Sequence, residues 1–247
     1  MDRREFLASI PAFLLLCQSG GRGGGEALAE GAEAAKKKEQ LWGMGIRADK
    51  CIGCARCMDA CKIENDVPRE PFFFRTWVER YTIKTDQSVV CECLAVDDGP
   101  GRDKVEEKDI LRSFFVPKLC NHCRNAPCTQ VCPVSATFST KEGAVIIDKE
   151  RCVGCGYCIQ ACPYGARYMH PVTHTADKCS FCYHRVTKGL LPACVEVCPT
   201  QARVFGDLNS VASPLTRFQR MEKIVVLKPG LNTEPKVYYS DLDGEVR

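Results

Sequence analysis

The chain has 247 residues, a hydrophobic fraction of 45% and a charged fraction of 26%, enough to bury a core in one large or two small domains. A net charge of +3, with no basic stripe interleaved with aromatics, excludes a nucleic-acid-binding surface. Nineteen cysteines set the chain apart, too many for an ordinary intracellular protein and on too long a chain for a disulfide-stapled miniature scaffold.

The N-terminus reads as an address. In "MDRREFLASIPAFLLLC", Arg3-Arg4 precede Phe6-Leu7 and an apolar run to Cys17 that is too short to span a bilayer comfortably. Ala27-Leu28-Ala29 follows as a small-residue cleavage site, so residues 1–29 are read as a twin-arginine signal peptide and the mature chain is expected in the periplasm, exported already folded. Cys17 fits a lipoprotein site poorly, because the large Leu16 stands just before it. Residues 30–42 then read as a flexible linker of Ala, Lys and Glu without apolar period. No later segment has the length and apolarity of a membrane span, so membrane association is expected only through partner subunits.

Beyond the linker the cysteines fall into four sets. The first is Cys51, Cys54, Cys57, Cys61; the second Cys120, Cys123, Cys128, Cys132; the third Cys152, Cys155, Cys158, Cys162; the fourth Cys179, Cys182, Cys194, Cys198. Sets two to four each continue as C-P-x-x-A ("CPVSA", "CPYGA", "CPTQA"), whereas the first runs "CKIEN". Cysteines three apart in a looping backbone aim their sulfurs into one concavity, and Gly53, Gly154 and Gly156 supply the positive φ such a loop requires. The last cysteine of a set sits a helical turn further on and completes the neighbouring cluster, so C-x2-C-x2-C-x3-C-P is a [4Fe–4S] run. Structural zinc has no use for a third cysteine at the same step. Disulfides fit poorly too, since C-x2-C-x2-C runs strain as bridges. Cys91 and Cys93 remain over, on one face of a strand in "VVCECLA", as bystanders or a redox-labile pair.

"ATFSTKEGAVIIDKE" reads as a hairpin turning at Lys141–Gly143, with a strand at Ala144–Asp148. Set, hairpin, set is a two-cluster ferredoxin, so residues 111–170 form an inner module, and sets one and four pair around it. The fold class is α+β: two nested bacterial-ferredoxin-like two-cluster modules, the outer one made of 43–110 plus 171–247. That outer module carries an insertion at 66–110, whose aromatics are expected to pack, and a C-terminal extension. The extension holds a helix Pro214–Lys223, a strand Lys223–Leu227 and the extended "PKVYYSDL".

With "KCIGCARCMDACKIENDVP", "LCNHCRNAPCTQVCPVSATF" and "ADKCSFCYHRVTKGLLPACVEVCPTQAR" in this order, residues 43–242 resemble the four-cluster iron–sulphur (beta) subunits of the dimethyl-sulfoxide-reductase family. The similarity runs toward exported polysulfide, thiosulfate and tetrathionate reductase subunits and those of sulfite-reduction and quinone-reductase complexes. The resemblance implies crosswise ligation. Cys51, Cys54 and Cys57 would share a cluster with Cys198, and Cys179, Cys182 and Cys194 one with Cys61. Likewise Cys120, Cys123 and Cys128 would join Cys162, and Cys152, Cys155 and Cys158 would join Cys132. It also implies four [4Fe–4S] clusters that relay electrons between a polytopic quinone-interacting membrane subunit and a molybdopterin-type catalytic subunit. The alternative is a stand-alone periplasmic polyferredoxin, for which the insertion and the long tail have no use. Substrate chemistry on the chain itself is not expected, since no catalytic triad, carboxylate pair or phosphate loop is discernible and sixteen cysteines leave no iron short of a ligand.

Among other residues, Lys50, Arg56, Arg151 and Arg167 lie beside the sets and are candidates to raise cluster potentials. Tyr157, Tyr164, Phe181 and Tyr183 are candidates to keep water away. His122, inside "CNHC", is a candidate to touch a cluster sulfur rather than to ligate iron.

Overall fold

Alternation in "WGMGIR" builds the first strand. Trp42, Met44 and Ile46 point into the core, while Gly43 and Gly45 leave room on the other face for a helix that arrives much later in the chain. The computed structural model describes residues 39–70, 73–94 and 105–246. The export signal, Cys17 and most of the linker therefore lie outside the described residues. The linker ends earlier than residue 42. Asn209 Nδ2 donates to the Glu39 carbonyl at 2.6 Å, Leu41 N–H to Asp207 Oδ1 at 2.8 Å, and Trp42 already lies in a strand.

In chain order the elements are β1 (Trp42–Arg47), α1 (Arg56–Asn65), β2 (Thr76–Lys84), β3 (Val89–Cys93), a 3-10 turn (Glu107–Asp109) and β4 (Ile110–Leu119). Then come α2 (Pro127–Gln130), β5 (Thr137–Ser139), β6 (Val145–Ile147), α3 (Tyr157–Gln160), β7 (Tyr168–Met169), β8 (Ala176–Asp177), α4 (Tyr183–Val186) and α5 (Ala193–Glu196). β9 (Arg203–Asp207), α6 (Pro214–Met221), β10 (Ile224–Val225), a second 3-10 turn (Pro229–Leu231) and β11 (Val237–Ser240) close the chain. The mixture is α+β, as expected.

β1 lies inside a sheet of order β10-β11-β1-β9, antiparallel to β9 and parallel to β11. The strand leading into set one thus pairs with the strand leaving set four. α6 closes over this sheet, with Ser213 Oγ accepting from Leu215 N–H as its cap and Pro214 in its first turn. Its fully buried Leu215 and Phe218 lie on the glycine face, where a Cβ at Gly45 would stand 2.7 Å from the Phe218 ring. The helix stops at Met221, two residues short of expectation, because Glu222 turns extended and receives Arg47 Nε at 2.7 Å. The strand expected over 223–227 shrinks to β10, and "PKVYYSDL" supplies β11.

The insertion forms an antiparallel sheet of order β3-β2-β4. Its aromatics pack, as Tyr81 does against Phe114, the rings nearly parallel at 5.5 Å. Pro117 is tolerated because β4 is an edge strand. The boundary expected at 110/111 falls at the head of β4, whose pairing with β2 runs on to Leu119 and delivers the chain to Cys120. The inner hairpin is β5–β6, its turn at 141–143 as read. Helix α1 packs on α5, and α2 on α3, so the helix of set one meets that of set four, and the helix of set two meets that of set three.

Candidate cluster-binding sites

Each C-x2-C loop turns through a left-handed residue, and Gly53, Gly154 and Gly156 have φ of 69°, 70° and 75°. At Gly154 a Cβ would stand 2.4 Å from the His174 carbonyl oxygen, so glycine is required for space as well as for angle. The C-P-x-x-A segments repeat one turn. Ser135, Gly165 and Gln201, all with positive φ, donate their N–H to the carbonyls of Cys132, Cys162 and Cys198, each at 3.3 Å. The alanines that follow, Ala136, Ala166 and Ala202, are buried. Set one departs here too, since α1 runs on from Cys61 to Asn65.

Three small cavities each take three cysteines from one set and one from another. Cys51, Cys54 and Cys57 line the first with Cys198. Cys179, Cys182 and Cys194 line the second with Cys61, and Cys120, Cys123 and Cys128 line the third with Cys162. Of the remaining four, Cys158 and Cys152 pack with Cys128 and Val145 in a satellite apolar cluster, whereas Cys155 stays exposed. Cys132 follows α2, which rests on α3, the helix that carries Cys158. This group matches the first in exposure, each having one exposed, two half-buried and one buried cysteine.

Burial and mutual repulsion hold the cavity thiols protonated until positive charge binds among them. Burial, then the neighbouring thiolates of Cys179, Cys194 and Cys182, push the Cys61 thiol well above its ordinary range. Burial pushes Cys123 up to about 11 despite a hydrogen bond from Thr233, with Cys120, Cys128 and Cys162 adding repulsion. Four thiolates can share such a space only when positive charge binds among them, as iron does while displacing the protons. Among the described residues no three His, Cys, Asp or Glu side chains close on a single ion; the donors in these cavities are thiols, as a multi-iron centre requires. Cys132 and Cys198 differ from the rest. Burial raises each, but hydrogen bonds prevail and hold both thiols below the usual value. For Cys132 they come from the amides of Thr137, Val134 and Ala136, and for Cys198 from the Thr200 hydroxyl and the amides of Arg203, Ala202 and Thr200.

Each cavity also holds one buried arginine. Arg203 Nη2 donates to Cys57 Sγ at 3.4 Å and to Thr76 Oγ1 at 2.8 Å, while Nη1 has no partner. Arg167 Nη2 donates to Cys128 Sγ at 2.8 Å and Nη1 to Thr137 Oγ1 at 3.3 Å. Arg75, in the second cavity, is neutralised by Asp177 at 2.9 Å and also donates to Asn65 Oδ1. Asn65 Nδ2 in turn reaches the sulfurs of Cys61 and Cys182, both at 3.6 Å. Lys178 is buried beside Cys120 and Cys179, its ammonium held by the Val145 and Cys179 carbonyls. Asn121, fully buried on the wall of the third cavity, has neither amide atom partnered.

Of the cations singled out by sequence, only Arg167 is buried against a thiol. Lys50, Arg56 and Arg151 are exposed, and Arg151 pairs with Asp148 at 3.2 Å. The missed residues are Arg203, Arg75 and Lys178. Arg203 had a visible signal, because "CPTQAR" sets it in the register that Arg167 holds in "CPYGAR". Among the aromatics, Phe181 and Tyr164 line cavities and Tyr183 packs edge-on to Trp42 at 5.7 Å. Tyr157 does not shield as expected. It opens α3 with its side chain 58% exposed. His122 is wholly buried, accepts the Val145 N–H on Nδ1 at 3.0 Å and stacks on Phe181. Cys91 and Cys93 share a face of β3, with Cys91 donating to Glu79 at 3.5 Å.

A family profile described as "4Fe-4S dicluster domain" matches residues 111–208, and one described as "4Fe-4S binding domain" matches residues 48–69. The chain is 44% identical over 204 residues to a tetrathionate reductase subunit of Salmonella typhimurium, an overlap of 82% of this chain and 73% of that protein. It is 37% identical over 239 residues to Protein NrfC of Escherichia coli, covering 96% and 94%. A putative dimethyl sulfoxide reductase iron-sulfur subunit of Halobacterium salinarum is 38% identical over 224 residues, covering 83% and 80%. Taken with the cysteine-lined cavities, these likenesses show that the chain belongs to the iron–sulphur (beta) subunits of the dimethyl-sulfoxide-reductase family, the electron-transfer subunits of reductase complexes.

Proposed function

We propose that this subunit carries four [4Fe–4S] clusters and relays electrons between a quinone-linked, polytopic membrane subunit and a catalytic subunit of the molybdopterin type, in a periplasmic respiratory complex. The observation that carries the proposal is the composition of the three cavities, each lined by three cysteines of one set and the last cysteine of another. The ligands are then Cys51, Cys54, Cys57 and Cys198; Cys61, Cys179, Cys182 and Cys194; Cys120, Cys123, Cys128 and Cys162; Cys132, Cys152, Cys155 and Cys158. The same pairing supports two nested ferredoxin-like modules, since sets one and four exchange their last cysteines around sets two and three.

Bound there, clusters of this kind take up and release one electron at a time. The chain's own residues hold the sulfurs, exclude water with Phe181 and Tyr164, and set fixed positive charge at Arg203 and Arg167 beside thiolates that grow more negative on reduction. No helix among the described residues is long and apolar enough to cross a membrane; in this reading the membrane subunit is the anchor.

The test is a native pull-down of the tagged protein from solubilised membranes, with partner identification and metal analysis. A polytopic membrane protein together with a molybdenum- or tungsten-bearing subunit is expected. Recovery of the chain alone would favour the soluble polyferredoxin. Export is tested separately: lysine at both Arg3 and Arg4 is expected to leave the protein in the cytoplasm, and normal export of that variant would end the twin-arginine reading.

A further inference from the structure

The third residue of the first C-x2-C loop in each set is left-handed: Gly53 at φ 69°, His122 at 43°, Gly154 at 70° and Phe181 at 56°. Sets one and three place glycine there, the residue that adopts this conformation without strain. Sets two and four place a ring instead, and a bulky side chain at positive φ is held only where its surroundings over-determine it. The two rings meet. Their centroids are 3.6 Å apart with the planes inclined by 16°, at side chains that are 0% and 1% exposed.

The stack stands where two cysteine cavities adjoin. His122 is flanked by Cys120 and Cys123 of the third cavity, and Phe181 lies between Cys179 and Cys182 and lines the second. The His122 ring is neutral and fixed in orientation. Nδ1 accepts the Val145 amide proton, so the ring proton sits on Nε2, an atom buried without a partner.

We propose that the stacked His122–Phe181 pair is the contact across which electrons pass between the site of Cys120, Cys123, Cys128 and Cys162 and the site of Cys61, Cys179, Cys182 and Cys194. The proposal rests on the ligand assignment above. One site is oxidised by one electron, the other is reduced by one, and the rings neither gain nor lose a proton. The pair puts a ring from the Cys120–Cys123 loop in van der Waals contact with a ring from the Cys179–Cys182 loop, where a smaller side chain would leave a void. It is a positioning element and holds no iron.

The experiment uses the assembled complex, purified anaerobically and mixed with a quinol analogue, with reduction of each cluster pair followed by rapid-freeze EPR. Phe181→Leu keeps apolar bulk and loses the ring; His122→Phe keeps a ring. In Phe181→Leu, reduction of the second pair is expected to lag by about tenfold or more, the consequence of a void in a close-packed path, with iron content and midpoint potentials unchanged. His122→Phe is expected to transfer close to the unaltered rate. Undelayed transfer in Phe181→Leu with full iron would overturn the proposal. So would loss of iron in that variant, which would assign the stack to cluster retention. Iron content is measured first in the unaltered protein, where a deficit would defeat the ligand assignment itself and is read independently of any rate.

Discussion

Cys198→Ser is expected to abolish the same EPR signal as Cys54→Ser, and Cys61→Ser to abolish the signal lost in Cys182→Ser, each variant losing roughly four irons per chain. Sequence order alone would pair Cys198 with its own set, Cys179, Cys182 and Cys194. Space pairs it with Cys51, Cys54 and Cys57, around one cavity. The electrostatics agree. The thiolates that raise Cys61, after burial, are those of Cys179, Cys194 and Cys182, and those that raise Cys51 include Cys57 and Cys198. The effect should reach stability as well. Removing one thiolate leaves three thiols with an incomplete ligand set, and such a site binds iron weakly or not at all. The measurement is iron and sulfide analysis with EPR of the reduced protein. Matching losses from Cys198→Ser and Cys182→Ser, with Cys54→Ser distinct, would refute crosswise ligation.

What the sequence disclosed divides along a physical line. Features set by local backbone geometry were legible. The cysteine steps, the left-handed glycines, the hairpin turn at 141–143 and the capped helix opening at Pro214 depend on residues close in the chain. Features set by burial were not. Nothing in the immediate neighbourhood of Arg75 announces that Asp177, a hundred residues on, will neutralise it inside a cavity. Tyr157 and Phe181 look alike as aromatics within cysteine runs, yet one faces solvent and the other is enclosed, a distinction made by packing between segments far apart in the chain. The strand β2 was also unread in "FFFRTWVERYTIK". Its burial does not alternate cleanly, because Tyr81, Thr82 and Ile83 are all buried.

The two rings at positive φ show the opposite case, a local signal whose meaning is tertiary. Gly-His-Gly-Phe variation at one loop position is visible in the sequence, but glycine there explains itself and histidine or phenylalanine does not. Only the contact between His122 and Phe181 gives the departure a reason. The register of Arg167 and Arg203 is similar. Both stand five residues after the last cysteine of a set, and both reach back to the third cysteine of the set that shares its cavity. A position in a repeat becomes a charge beside a sulfur through the turn that each C-P-x-x-A segment makes.

Arg203→Met is therefore expected to lower the midpoint potential of the site formed by Cys51, Cys54, Cys57 and Cys198, with full iron content. Reduction adds negative charge to a site that already carries it, and a fixed cation nearby favours the reduced form. Arg203 is buried, touches Cys57 Sγ at 3.4 Å and lies near Cys194 of the next site, while its hydrogen bonds go to sulfur and to the Thr76 hydroxyl rather than to a carboxylate. Its charge is thus neither screened by water nor cancelled by a counter-ion. At an effective dielectric near 20, a unit charge about 5–10 Å from the added electron is worth roughly 1.5–3 kcal/mol, or about 60–120 mV for one electron. Arg203→Lys keeps the charge and is expected to keep most of the potential. Arg75→Met, by contrast, leaves Asp177 buried and unpaired, so its first effect is on stability rather than potential. An EPR-monitored redox titration separates the cases. An unmoved potential in iron-replete Arg203→Met would mean that the charge is compensated by a group other than the cluster, and the electrostatic account of this site would fail. A fall confined to that site and, more weakly, to the one containing Cys194 would place the influence of Arg203 along the array in the order the cavities give.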